Sequence, residues 1–508
     1  MKTKLCIFVI LLTCTCMTYG QRRDNPGKYG VNPYLDTDYK EPFRGQYHFS
    51  SQSGWMNDIN GLIYVDGVYH MYYQHWPYSP RRENPIFEVF WGHAISTDLI
   101  HWKNAFPAID PWEHDGAAWS GSCVFDADNT SGFGTDGKAP VVILYTNVQK
   151  GTNVVYSLDG GYTYESYSGN PVLPGGSKNW RKDPRDPHVF WHEPTKKWVM
   201  ALFYKGTIFY TSPDLKKWTE VSKIKFGYEC PDIFELPVDG DKNNMRWVLA
   251  DAGGGYLIGD FDGTHYTRDK DNDQVYKMDV GPDWYAAQTF YKPTFPSERT
   301  VQIAWLSHWG VRVTNKVWSF EATFPVNLKL RTFPEGIRLT RTPIEEISTL
   351  YTSTNTWGKQ TISPGNNLLS EMDTKAADIT VVFNLEGSTA TKFGLKIANQ
   401  TITYNKNDQK LSTYVKKDDG TGIEENPNEK PLMPLDNKVM LRVLLDWGQM
   451  EIFSRDYNFS YSQQFPFDPA DNSLELWANG DIEIESMEFH KMGRIWDEWP
   501  EAQGSRKR

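Results

Sequence analysis

"STDLIHW", residues 96–102, has a tight turn with an aromatic anchor written into it. An aspartate two residues after a serine holds the backbone amides of a turn, and the tryptophan four residues on packs beneath it. The signature returns as "SLDGGYTY" (157–164) and "SPDLKKW" (212–218), and more weakly as "FDGTHY" (261–266). The aspartates are Asp98, Asp159, Asp214 and Asp262, at steps of 61, 55 and 48 residues. Helical periodicity is nearly absent, and short alternating runs separated by Gly, Asp, Asn and Pro fill the intervals. Repeats of this period, each built from several short strands, predict the blades of a β-propeller.

Upstream of the first copy stands "WMNDINGLIYVDGVYHMYYQ" (55–74). It reads as a hairpin with strands Gly61 to Val65 and Val68 to Gln74 around an Asp66-Gly67 turn. Taking this hairpin as the first blade and residues 283–330 as the last gives five blades, spanning residues 40–340. After that point the pattern changes. "DITVVFNLEG", "KFGLKIANQTITYN", "VMLRVLLDWGQMEIFSRD" and "SLELWANGDIEIESMEFH" alternate strictly, which predicts a β-sandwich over residues 350–492. Residues 493–508 read as a disordered tail. The predicted fold is therefore all-β, a five-bladed propeller followed by a C-terminal sandwich.

The first 20 residues read as a secretion signal: Lys2 and Lys4, then an apolar stretch from Leu5 to Met17, then a cleavage site at Thr18-Tyr19-Gly20. The apolar stretch is too short to span a membrane. Removing two lysines takes the formal charge from −11 to −13, and removing Cys6, Cys14 and Cys16 leaves Cys123 and Cys230. An acidic secreted chain is a poor nucleic-acid ligand, and no membrane association is expected after cleavage. Two cysteines make no disulfide framework; buried thiols are the expectation. Sequons at Asn129, Asn399 and Asn458 fit a secreted glycoprotein. Aromatic residues reach 15% of the chain, which fits either a large β-rich core or a surface for sugar rings.

In a propeller, polar residues at the starts of the inner strands converge at one end. Asp58 in "WMNDING", Asp186 in "RDPHVF" and Glu229 in "YECPDIFEL" each precede an apolar run. A carboxylate there is costly to bury unless it is paired or functional. Each has a structural alternative: a turn aspartate, a partner for Arg185, and a strand cap. Their recurrence at the corresponding point of three blades favours function. Two carboxylates facing each other across a funnel are what glycosidic cleavage needs. Tyr228, Cys230 and Pro231 flank Glu229 with an apolar setting suited to a proton-carrying acid, while amides flank Asp58 and favour its ionised form. The 11 histidines are scattered without ligand spacing, so neither metal nor cofactor is expected.

"WMNDING", "WSGS" (119–122), "RDP" (185–187) and "ECPD" (229–232) stand in the order and spacing of the glycoside hydrolase family 32 β-fructosidases, the invertases, inulinases and levanases. "FWGHAISTDLIHW" (90–102), "YAAQTF" (285–290), "AWLSHW" (304–309) and "LRVLLDWGQMEIF" also resemble that family, so the likeness spans nearly the whole mature chain. The resemblance implies a five-bladed propeller with a β-sandwich, and a secreted hydrolase of terminal fructofuranosyl bonds in sucrose or fructans. By the same resemblance Asp58 is the nucleophile, Glu229 the acid and base, and Asp186 the group that holds fructose hydroxyls and steadies the transition state. Trp55, Asn57, Gln74, Trp119, Ser120, Arg185 and Trp309 would contact the substrate. Two departures stand out. The family's usual "NDPNG" reads "NDING", with Ile59 in place of proline. A tryptophan common shortly before the "WGHA" element is missing, with Ile86 and Phe87 nearby, which bears on substrate preference. The alternatives are a fructosyltransferase using the same covalent intermediate and an inactive carbohydrate-binding propeller.

Overall fold

The computed structural model of the protein describes residues 38–496 apart from 42, 81–87, 176–182, 271–273, 308–316, 373–374, 399, 414–428 and 466–469. The signal peptide predicted over 1–20, and Ile86, Phe87, Trp309 and Asn399, lie outside the described residues.

Antiparallel sheet units follow one another along the chain. The first contains β1 (Gly54–Val65), β2 (Val68–Trp76), β3 (Phe90–Ser96) and β4 (Lys103–Ile109). The second contains β5 (Ala118–Phe125), β6 (Val141–Asn147), β7 (Gly151–Ser157), β8 (Glu165–Ser166) and β9 (Leu173–Pro174). The third is β10 (Arg185–His192), β11 (Lys197–Phe203), β12 (Thr207–Ser212) and β13 (Thr219–Ile224). The fourth holds β14 (Asp232–Val238), β15 (Asp241–Ala250), β16 (Gly255–Phe261), β17 (Tyr266–Arg268) and β18 (Tyr276–Lys277). A fifth is formed by β19 (Trp284–Thr289), β20 (Thr300–Leu306), β21 (Trp318–Ser319), β22 (Glu321–Ala322), β23 (Val326–Phe333) and β24 (Gly336–Pro343), with β21 lent to the first sheet.

Two features of this arrangement are absent from the local sequence pattern. The fourth and fifth units share one ten-stranded sheet, joined where Val238 of β14 pairs in parallel with Leu330 of β23. At the other side β21 pairs in parallel with the start of β1, Gly54 against Trp318 and Trp55 against Ser319. That pairing brings the last part of the propeller back to the first. β1 begins at Gly54 rather than at Gly61 because its pairing with β2 continues back through Ile59 and Met56 to Trp55, opposite Trp76, and β21 pairs with Gly54 and Trp55. Ile59, the residue in place of proline, is buried and pairs with Tyr73. The Asp66-Gly67 turn has positive φ at both residues, 50° and 87°, as a type I′ hairpin turn requires.

The repeated aspartates do what their spacing predicts. Asp98 Oδ1 accepts the N–H groups of Ile100 and His101 at 2.9 and 2.8 Å. Asp159 accepts those of Tyr162 and Thr163, Asp214 those of Lys216 and Lys217, and Asp262 those of Thr264 and His265. The anchoring indoles of Trp102 and Trp218 donate to Leu99 O and Leu215 O.

Beyond a short 3-10 helix (Glu345–Leu350), a seven-stranded and a five-stranded antiparallel sheet enclose a second apolar core around Phe383, Leu395, Ile402 and Ile452. The propeller and the sandwich are fused rather than tethered. Leu444, Phe453, Met492 and Ile495 lie in one continuous core with Tyr47, Phe49 and Phe324. Asp446 accepts the N–H groups of Gln46, Tyr47 and His48. The His48 ring lies between Asp446 and Glu451 at 3.0 and 2.9 Å. Burial acts to lower the His48 pKa, but hydrogen bonds to the two carboxylates outweigh it and raise it to about 10.

The predicted tail needs correction at its start. Ile495 is buried and donates its N–H to Gln46 O, and the Trp496 ring stacks on Tyr39 at 4.0 Å. Apolar contact with the N-terminal segment orders these residues; 497–508 lie outside the described residues. Cys123 and Cys230 are both free and buried. Asn129 is exposed, whereas Asn458 is partly buried with Nδ2 donating to Leu339 O.

Candidate active site

The innermost strands β1, β5, β10, β14 and β19 all begin at the same end of the propeller, and their opening residues meet there. Asn57 and Asp58 stand near the start of β1, Trp119 and Ser120 at the start of β5, and Arg185 and Asp186 open β10. Glu229 and Cys230 immediately precede β14, and Tyr285 is the second residue of β19.

Asp58 accepts a hydrogen bond from another blade. Ser120 Oγ donates to Asp58 Oδ2 at 2.6 Å. The Cys230 thiol approaches the same oxygen at 3.5 Å. Asn57 turns its carbonyl oxygen back to the Asp58 N–H, and Asn60 faces the Gly121 N–H at 3.5 Å. The residue after Glu229 thus touches Asp58, which brings the segment that carries Glu229 against the start of β1.

The surroundings of Glu229 are likewise set from a distance. Arg185 Nη2 donates to Oε1 at 2.7 Å, and the Tyr285 hydroxyl donates to Oε2 at 2.6 Å. Its side chain keeps 22% of its surface in solvent, against 5% for Arg185. The Arg185 guanidinium also lies 4.7 Å above the Phe203 ring and 3.8 Å from Asp186 Oδ2. Burial opposes the Arg185 charge, but Asp186 and Glu229 outweigh it and raise the pKa.

Asp186 is buried, and its Oδ2 accepts the Cys230 N–H at 3.2 Å while its own N–H donates to Thr146 Oγ1 at 2.7 Å. Burial, then the Glu229 charge, pushes its carboxyl up to about 7; Arg185 opposes the shift and Asp58 adds to it. Burial and the neighbouring carboxylates thus favour the protonated form of Asp186. Burial and the neighbouring carboxylates keep the Cys230 thiol protonated, so it is a weak donor here rather than a thiolate nucleophile.

The backbone supports this crowding at a cost. Asp186, Glu229 and Cys230 have φ of 61°, 55° and 37°. For residues with a Cβ, the left-handed region costs about 1–2 kcal/mol each. Such strain persists where the surrounding structure over-determines it, which is typical of functional sites. Gln288 ties β1 to β5 next to the site: its Oε1 accepts the Gly61 N–H and its Nε2 donates to Gly121 O, both at 2.8 Å.

Asp58, Asp186, Glu229, Arg185, Ser120 and Asn57 are therefore brought together. Trp55, Gln74 and Trp119 are buried in the walls. Gln74 Nε2 donates to Ala118 O, holding the start of β5, and the Trp119 carbonyl accepts the Trp91 indole. Three members were missed from the sequence. Tyr285 was visible only as part of "YAAQTF", Cys230 only as a neighbour of Glu229, and Thr146 carries no local signal because it stands near the end of β6, where only the fold brings it to Asp186.

Comparison with known proteins identifies the family. Residues 48–343 match the Glycosyl hydrolases family 32 N-terminal domain, and residues 346–491 match the Glycosyl hydrolases family 32 C terminal. A levanase of Bacillus subtilis (strain 168) is 36% identical over 500 residues, covering 91% of this chain and 72% of the relative. An extracellular exo-inulinase of Aspergillus niger is 31% identical, covering 90% and 96%. The crystal structure of an exo-inulinase from Aspergillus awamori superposes with a TM-score of 0.78 at 28% identity, covering 90% of this chain and all of that one. Matches to both domain families across nearly all the described residues, on an all-β propeller and sandwich, make this chain a glycoside hydrolase that belongs to glycosyl hydrolase family 32.

Proposed function

We propose that the protein is a secreted β-fructosidase that hydrolyses terminal β-D-fructofuranosyl bonds of sucrose and of fructans such as inulin and levan, with retention of configuration. Asp58 is the nucleophile, Glu229 the acid and then the base, and Asp186 the holder of fructose hydroxyls. The observation that supports this reading is the Asp58–Cys230 contact at 3.5 Å, which brings the residue next to Glu229 against Asp58. A retaining enzyme needs its two carboxyl groups about 5–5.5 Å apart, with no room for a water between them and the sugar.

Attack by Asp58 on the anomeric carbon forms a fructosyl ester while Glu229 protonates the departing oxygen. Glu229, now ionised, takes a proton from water, which cleaves the ester and regenerates Asp58. Arg185 and Tyr285, hydrogen-bonded to Glu229, suit the ionised stage and return the carboxylate to one position after each turnover. Asp186, able to hold or lack a proton near neutral pH, can donate to or accept from a sugar hydroxyl. The leader predicted over residues 1–20 and the extracellular name of the inulinase relative support secretion.

The test is incubation with sucrose, inulin and levan, followed by chromatography. Free fructose as the first and main product supports hydrolysis. Longer oligosaccharides identify a transferase, and unchanged sugar identifies a binding protein.

A further inference from the structure

Among the described residues, five large apolar side chains are more than a third exposed, and four of them stand at the end of the propeller that carries Asp58. Val317 lies beside Gly54 at the start of β1, and its carbonyl accepts the Gly54 N–H. Val275 lies against Gly255 at the start of β16, and Tyr228 precedes Glu229. The fourth is Trp112, 40% exposed, in "DPWEHDG" (110–116). Single exposed apolar residues are ordinary on a protein surface; the held position of Trp112 sets it apart from the other three.

Trp112 belongs to the connection that crosses from β4, the outermost strand of the first sheet, to β5, the innermost strand of the second. That connection lies on the active-site face, because β4 runs towards that face and β5 opens there with Trp119 and Ser120. The loop is built and held. Asp110 Oδ1 accepts the Trp112 N–H at 2.8 Å, Asp110 O accepts the His114 N–H at 2.9 Å, and Pro111 O accepts the Gly116 N–H at 2.8 Å. A ring pre-positioned in this way loses little conformational freedom when a ligand arrives.

Ring contacts run from Trp112 inward. Its ring meets Phe90 edge-on at 5.3 Å and lies 5.9 Å from Tyr78. Tyr78 meets Trp76 at 5.1 Å, and Trp76 pairs across the hairpin with Trp55, three residues before Asp58. Phe90 opens the third strand of its sheet, so Trp112 stands about 10 Å out from β1, two strand spacings.

We propose that Trp112 is a sugar platform outside the cleavage pocket. It stacks on a fructosyl unit beyond the two that flank the scissile bond, and so favours fructan chains over sucrose. This inference rests on the fructosidase reading above and extends it to a specificity residue. Trp112 is a positioning residue here, since it touches only the distal part of a long substrate.

The test compares kcat/KM on long-chain inulin and levan with kcat/KM on sucrose, for the full-length protein and for Trp112→Ala. The ratio of polymer to sucrose should fall about tenfold in the variant, the size of one lost aromatic contact. The change should appear in KM rather than kcat, and Trp112→Phe should recover most of it. An unchanged ratio in an active, normally melting variant overturns the proposal, as does an equal loss on polymer and sucrose. If the unmodified protein releases fructose from none of these sugars, the fructosidase reading itself fails, a result distinct from an active enzyme whose ratio does not move.

Discussion

The Ser120 hydroxyl donates to Asp58 Oδ2 at 2.6 Å, tying the second blade to the first at the candidate nucleophile. A hydrogen bond to a charged acceptor is worth about 1.5–3 kcal/mol. Losing it frees the carboxylate to rotate away from the line of attack. Ser120→Ala should therefore lower kcat/KM by about ten- to a hundredfold on sucrose with little change in melting temperature, measured by steady-state kinetics and thermal unfolding. A variant within twofold of the parent would show that the bond does not orient Asp58.

Glu229→Ala should cost several orders of magnitude in kcat on substrates with a poor leaving group, and far less when the leaving group departs without a proton. Asp58→Ala should be equally inactive on both. Rates on sucrose and on an activated fructoside separate the two roles: parallel losses in the Glu229 variant would deny it the acid role.

Asp186 links the site to pH-dependent stability. Its carboxyl is raised from 3.8 to about 7 in the folded protein, by burial first and by Glu229 next. Between about pH 4 and pH 7 the folded chain therefore holds a proton that the unfolded chain releases, so this group's contribution is fully present below about 4 and lost as pH rises through about 7. An amide imitates the protonated carboxyl at every pH. The melting temperature of Asp186→Asn, minus that of the parent, should grow more positive from pH 5 to pH 8, while activity is largely lost. A constant difference would mean that Asp186 stays ionised throughout.

The His48 clamp predicts how the sandwich contributes. Removing one partner from a buried charged cluster costs about 3–5 kcal/mol, so His48→Ala should lower the unfolding free energy by about that amount in denaturant titrations. His48 is raised to about 10; its contribution is complete below about 6.5 and is lost as pH rises through about 10, so the gap between parent and variant should narrow across that range. Cutting the chain after residue 345 would expose Tyr47, Phe49 and Phe324, which share a core with Leu444 and Phe453, and should leave an insoluble or unfolded propeller. A soluble, folded, fully active fragment would contradict that shared core.

What could be read from the sequence was local. The Asp98, Asp159, Asp214 and Asp262 turns were legible because each aspartate bonds amides two to four residues away. The Asp66-Gly67 hairpin was legible for the same reason. Asp58, Asp186 and Glu229 were found because each stands at the head of an apolar run. Their partners were not legible: Ser120 lies 62 residues from Asp58, and Tyr285 lies 56 from Glu229. Nothing near Glu229 announces an arginine and a tyrosine, and its apolar neighbours in sequence misdescribe its neighbours in space. The parallel pairing of β21 with β1 and of β14 with β23 was hidden in the same way, since one or two residue pairs across more than 90 residues leave no periodicity.

The most direct test of the account is to trap the covalent intermediate. Glu229→Ala, mixed with a fructosyl donor whose leaving group needs no proton, should form the ester readily and hydrolyse it slowly. After acid quench and proteolysis, mass spectrometry should find one fructosyl group on the peptide that contains Asp58, and none in the Asp58→Ala, Glu229→Ala double variant. A fructosyl group on Asp186 or on any other residue, or substrate turnover with no adduct and an inverted first product, would contradict Asp58 as the nucleophile of a retaining enzyme.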